Sequence, residues 1–188
     1  MANVKLKRTQ ARTWRPVYPT PAALITSADA QGRPNIITLG EVFNLSIGNP
    51  VWVGISIRAA TYSHGLIKAQ GEFTVNLPTA AMVDVVLGCG SCSGRDGTDK
   101  FAKFGLTPVA SRMVKPPIIA ECPLNLECRV VGFQAVGDHD LFIGEVVMEH
   151  VDEDALDADG KPDSAKLDPL ILLPDGFWRI GSKVRKWH

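Results

Sequence analysis

No stretch of this sequence is long and apolar enough to span a bilayer. Neither sign of charge is in surplus: 20 Lys+Arg face 20 Asp+Glu. That balance denies the chain the positive excess with which nucleic-acid binders replace counterions. Cysteine is scarce, four in 188 residues, which excludes a small disulfide scaffold and leaves thiols, ligands or packing residues. The basic N-terminal stretch MANVKLKRTQARTWRP has no apolar run behind it. It therefore does not read as a secretory signal, and the cytoplasm is the expected compartment. A P-loop lysine motif, His-Glu-x-x-His and a Ser-His-Asp arrangement are also missing, so hydrolase and kinase chemistry find no support. What remains is 45% hydrophobic and 21% charged, the composition of an ordinary folded chain whose 188 residues suit one domain.

Strand signals dominate. AALITSADAQGRPNIITLGEV reads as two strands around a turn at Asp29 to Gly32. In PVWVGISIR, residues 50–58, Val51, Val53, Ile55 and Ile57 share one face, and Trp52, Gly54, Ser56 and Arg58 share the other. TYSHGLIKAQG is a short helix, capped by Thr61 or Ser63 and ended by Gly71. EFTVNLP alternates again, AAMVDVVLG suits a helix, and KFAKFG a helical turn ended by Gly105. CPLNLECRVVGFQAV and LFIGEVVMEHV form a second hairpin around GDHD, residues 137–140. An acidic, turn-rich surface excursion follows at about 152–168. Many strands with few, short helices make the fold mainly β, a barrel or sandwich decorated by helices.

Three constellations carry chemistry. Arg58 and Ser56 end one strand face, and a helix starts a few residues later near Ser63. A guanidinium fork, a hydroxyl and a helix N-terminus together suit a phosphate; a capped helix beside a surface ion pair uses the same residues. GCGSCSGRDGTDKF, residues 88–101, holds Cys89 and Cys92. Its glycines miss the dinucleotide G-x-G-x-x-G spacing by one residue. Ser-Gly-Arg-Asp-Gly after the cysteines is loop chemistry rather than the helix start of a thioredoxin dithiol. Zinc would need Cys122 and Cys128 too, and six residues along a strand set their sulfurs about 20 Å apart, so no metal site is expected. The third constellation is His139 at a hairpin tip between two aspartates, either a proton donor or substrate contact, or an exposed turn residue.

The segments PTPAALITSADAQGRPNIITLGEV, PVWVGISIRAATYSHGLIKAQGEFTVNLP, CGSCSGRDGTDKF, ECPLNLECRVV and GDHDLFIGEVV, in that order, resemble the flavin reductase-like family of FMN-binding split β-barrels, its flavoredoxin branch in particular. The resemblance spans roughly residues 17 to 180 and implies a Greek-key split barrel, a homodimer, bound FMN and flavin electron transfer. The donor it implies is NADH or NADPH. A non-enzymatic carrier reduced by a redox protein partner is the alternative, and a cysteine-based metal or thiol-redox module a third. By the same resemblance Asn35 and Thr38 face the flavin, Ser56, Arg58, Tyr62 and Ser63 hold the ribityl phosphate, and Lys100, with Asp99 before it, approaches the flavin. His139 lies near the ring as the catalytic contact, and Phe177 or Trp178 is the late aromatic that covers the site. Glu41 departs from the pattern, which often has tryptophan there. A carboxylate in that position changes ring packing and disfavours an anionic reduced flavin.

Overall fold

The protein is described by a computed structural model covering residues 16–185. The basic N-terminal stretch lies outside the described residues, Pro16 apart, and with it the reading of that stretch as no secretory signal. In chain order the elements are β1 (Thr20–Pro21), β2 (Ala23–Ala28), β3 (Pro34–Leu39), β4 (Val42–Ser46), β5 (Trp52–Arg58), α1 (Tyr62–Gln70), β6 (Glu72–Leu77), α2 (Val83–Ser91) and α3 (Lys100–Phe104). Then come β7 (Pro108–Val109), β8 (Ile118–Ile119), β9 (Leu124–Val136), β10 (His139–Val151), α4 (Ser164–Leu167), β11 (Leu170–Leu173) and β12 (Gly176–Arg179). Seven strands pair antiparallel in the order β3-β2-β6-β9-β10-β5-β4, the mainly β, Greek-key split barrel that the strand pattern and the resemblance imply.

The barrel closes around side chains that alternate along its strands. Ile25, Val53, Ile55, Ile57, Phe73, Val75 and Phe142 form one core cluster. The other face of β2 and β3 packs Leu24 and Ile36 against Val86 of α2 and Phe101 of α3. Strand β2 is therefore buried on both faces, which is why ALITSA lacks a clean polar alternation. Helix α1 begins where Thr61 accepts from His64 N–H and ends at Gly71, whose φ of 71° few other residues tolerate.

A buried polar seam fixes the loop around residues 111–119 to the sheet. Glu127, fully buried, accepts from the N–H groups of Arg112 at 2.8 Å, Met113 at 2.6 Å and Val114 at 3.2 Å, and lies 2.7 Å from His150 Nε2. Asn76 Oδ1 accepts from Ile119 N–H at 3.0 Å and from Asn125 Nδ2 at 2.9 Å.

One expectation is corrected. The Cys-x-x-Cys segment does not lie wholly in a loop: α2 runs on through Gly88–Ser91, Cys89 is buried within it, and Cys92 is its C-cap. Tertiary contacts outweigh the poor helix propensity of the glycines. A Cβ on Gly88 would overlap the Phe104 ring, and the Lys100 ammonium donates to the Cys89 carbonyl at 2.7 Å in the last turn. A cation is favourable at that end of a helix. Among the described residues no helix is long and apolar enough to cross a membrane.

Candidate functional site

The two halves of the candidate site form one cleft. The first, about 350 Å³, lies between β3, the start of α1 and the end of α2, with Asn35, Tyr62, Ser63, Ser91, Gly94 and Arg95 in its walls. The second, about 580 Å³, is lined by Thr38, Glu41, Ser56, Arg58 and His139. Ile37, Thr61 and Gly90 line both.

In the first half, α1 points its N-terminus at the space. Thr61 Oγ1 satisfies His64 N–H, while the N–H groups of Tyr62 and Ser63 precede any intrahelical acceptor. They aim a positive dipole end at whatever lies there. Ser63 Oγ accepts from Asn35 Nδ2 at 2.7 Å. The Asn35 Oδ1 is buried without a hydrogen-bond partner, and a Cβ on Gly94 would overlap it. The loop after α2 can therefore approach β3 this closely only with glycine at 94. Arg95 holds the same rim by donating Nη2 to Ala60 O at 3.0 Å. Lys100 lies beneath, buried, with Nζ 2.7 Å from Ile36 O and 2.7 Å from Cys89 O. Burial lowers the pKa of its ammonium, and the neighbouring Cys92 and Cys89 act the other way.

In the second half, β5 and β10 pair Arg58 with His139 and Ser56 with Leu141. Asp138 links the pair: its carboxylate lies 2.8 Å from His139 Nδ1 and 3.8 Å from Arg58. The His139 hydrogen bond holds the Asp138 pKa below its ordinary value, against the opposing effect of burial. Thr38 Oγ1 donates to Val86 O at 2.6 Å, tying β3 to α2 beside Gly90.

The structure thus brings together Asn35, Thr38, Glu41, Ser56, Arg58, Tyr62, Ser63, Lys100 and His139. Asp99 caps α3 through Ala102 N–H and lines a polar pocket that adjoins the first half of the cleft across Tyr62, Gly94 and Arg95. Phe177 is not brought to the cleft. It pairs with Leu172 and packs on the core cluster of Leu24 and Phe101, and Trp178 donates to Asp175 at 3.0 Å. Sequence reasoning missed Gly94 and Arg95, for which the Ser-Gly-Arg run was the available signal. It also missed His64, whose Nε2 lies 2.7 Å from Asp140 Oδ2. This partly buried pair ties the first turn of α1 to the strand that carries His139, and no spacing rule announces it.

The cysteines do not assemble a reactive centre. All four are free, burial pushes the Cys89 thiol up to about 11 and those of Cys122 and Cys128 higher still. Among the described residues no three His, Cys, Asp or Glu side chains come together as a metal site.

Comparison with known proteins points the same way. A family model described as the flavin reductase like domain matches residues 15–180. An uncharacterized protein of Archaeoglobus fulgidus is 42% identical over 147 residues, 78% of this chain and 80% of its own. Among solved structures, the flavoredoxin of Desulfovibrio vulgaris (Miyazaki F) superposes with a TM-score of 0.87 at 32% identity, covering 96% of this chain and 97% of that one. The flavoredoxin from Methanosarcina acetivorans gives 0.84 at 32% identity, over 97% and 95%.

Proposed function

The chain belongs to the flavin reductase-like family, and we propose that it binds FMN in the cleft between α1, β3 and β5 and passes electrons from NADH or NADPH through it to an acceptor. The observation that carries this reading is the convergence at one end of the cleft of the α1 N-terminus, the Ser63 hydroxyl and Arg95. That is the donor set a terminal phosphate needs. Beside it, the unpartnered Asn35 Oδ1 offers an acceptor to a polyol chain such as ribityl, and leaving such a buried acceptor unmade is costly. The residues present therefore fit FMN.

In this reading Ser63, Tyr62 and Arg95 hold the phosphate, while Ser56 and Arg58, expected there from the sequence, line the second half of the cleft. Asn35 and Thr38 orient the chain and ring, and Lys100 holds the backbone of β3 and α2 in place. His139, oriented by Asp138, is the polar contact for nicotinamide or acceptor above the second half of the cleft. Bound flavin supplies the electron chemistry; the protein supplies position and electrostatics. A homodimer belongs to the same proposal, supported by the exposed Leu45, Ile47, Val51 and Trp52 on β4, the turn after it and the start of β5. Light scattering at twice the chain mass is the expected result.

Likeness to the two flavoredoxins favours a second reading, an electron carrier reduced by a protein partner. Titration of flavin-free protein with FMN tests the site itself. Arg95→Ala should weaken FMN about tenfold or more, the loss of one hydrogen bond to a charged group. Unchanged affinity would remove the phosphate assignment.

A further inference from the structure

The polar cleft ends at Glu41 and Ser56, and beyond these two residues opens another cavity, about 530 Å³, with the opposite chemistry. Its walls include Val17, Tyr18, Val42, Phe43, Val136 and Leu141. The strand register explains the change. Along β5 and β10 the paired residues run Arg58 with His139, Ser56 with Leu141 and Gly54 with Ile143. Residues two apart share a sheet face, so one face passes from cationic to apolar within four residues. At Gly54 the Phe43 ring lies against the bare backbone: a Cβ there would be 2.5 Å from Phe43 Cε2. The ring lies flat only because residue 54 is glycine, and it forms an end wall of the cavity.

The volume falls within the roughly 300–1,000 Å³ of small-molecule pockets. An anion would lose its hydration here without recompense beside the Glu41 carboxylate, whereas a neutral flat molecule gains by burial. Ser56 and Glu41 are the polar residues at the wall shared with the cleft.

We propose that this cavity is a second subsite, taking an uncharged, flat, bicyclic quinone with one edge toward the cleft across Ser56 and Glu41. Its binding is independent of the flavin, while its role as electron acceptor rests on the proposed function. A quinone takes up two electrons and two protons to become the hydroquinone. Bound flavin, once reduced, would supply both electrons, and flavin and solvent together the two protons.

The probe is 2,3-dimethyl-1,4-naphthoquinone, which lacks the open ring position that would alkylate Cys92. Calorimetric titration of the full chain, with and without saturating FMN, should show one site with a dissociation constant below about 100 µM in both cases. Val136→Trp, which fills the cavity, and Val17→Asp, which charges its wall at an exposed position, should each weaken the quinone about tenfold or more and leave FMN affinity within about twofold. The 2-hydroxy-3-methyl analogue, an anion at neutral pH, should bind about tenfold more weakly. Competition between the quinone and FMN, or binding indifferent to both variants, would overturn the subsite. So would a halved mass by light scattering in Val136→Trp with quinone binding intact, which would make the cavity an interface between copies. FMN uptake without quinone binding overturns the subsite alone, and quinone binding without FMN uptake overturns the flavin reading alone.

Discussion

Among the described glycines, an added Cβ meets the shortest contact at Gly94, against Asn35 Oδ1. An added methyl meets the Asn35 carbonyl oxygen, itself held by the bond from Asn35 to Ser63. Gly94→Ala should therefore weaken FMN about tenfold or more while leaving thermal stability within about 1 kcal/mol, because the clash falls in the cleft rather than the core. Fluorescence titration and a melting curve measure the two effects. His139→Ala should leave FMN affinity within about twofold and lower kcat/KM for NADH or NADPH about tenfold or more, the scale of a positioned polar contact. Equal kinetics in the variant would make His139 a turn residue. At this scale the sequence was legible wherever chemistry follows from neighbours in the chain: Ser56 and Arg58 on one strand face, Ser63 at a helix start, His139 at a turn. It was silent on Gly94 and His64, whose partners Asn35 and Asp140 lie 59 and 76 residues away. Phe177 could not be placed from sequence, since an aromatic near the end of a chain reads the same whether it covers a ligand or packs on a core, as it does within this chain.

Among the elements, α1 was readable from its caps and α2 only as far as Gly88. Thr61 and Gly71 are local signals, and both act as read. The last turn of α2 is held by Phe104 and by Lys100, outside the window that propensity sees. The loop docked by Glu127 is likewise invisible in sequence, because its three N–H groups meet one carboxylate from another strand. That carboxylate gives a pH test. Desolvation pushes Glu127 up, but the bonds from Arg112, His150 and Met113 outweigh it and hold the pKa below its ordinary 4.5. A depressed carboxylate pKa contributes stability that is fully present above the ordinary value and is lost as pH falls through the lowered one. Glu127→Gln should thus cost about 2 kcal/mol near pH 7, roughly 4–8 °C in Tm. The gap between variant and parent should narrow below pH 4.5. A gap that does not change with pH would mean that the charge on Glu127 is not what fixes the loop.

For the molecule as a whole, strand count, hairpins and the order of motifs along the chain sufficed for the split barrel, because each hairpin is local and the family order is specific. The division of the site was not legible. A polar cleft, proposed to take FMN, and an apolar cavity beyond it arise from the register of β5 on β10 and from Phe43 lying over Gly54. The central claim is that FMN occupies that cleft and takes electrons from a nicotinamide cofactor. The most direct measurement is the visible spectrum of the FMN-loaded protein, recorded without oxygen before and after one equivalent of NADH or NADPH. Bleaching of the flavin band by at least one nucleotide, slowed in His139→Ala, is the expected result. A yellow protein that neither nucleotide bleaches would contradict it and leave an electron carrier reduced by a protein partner.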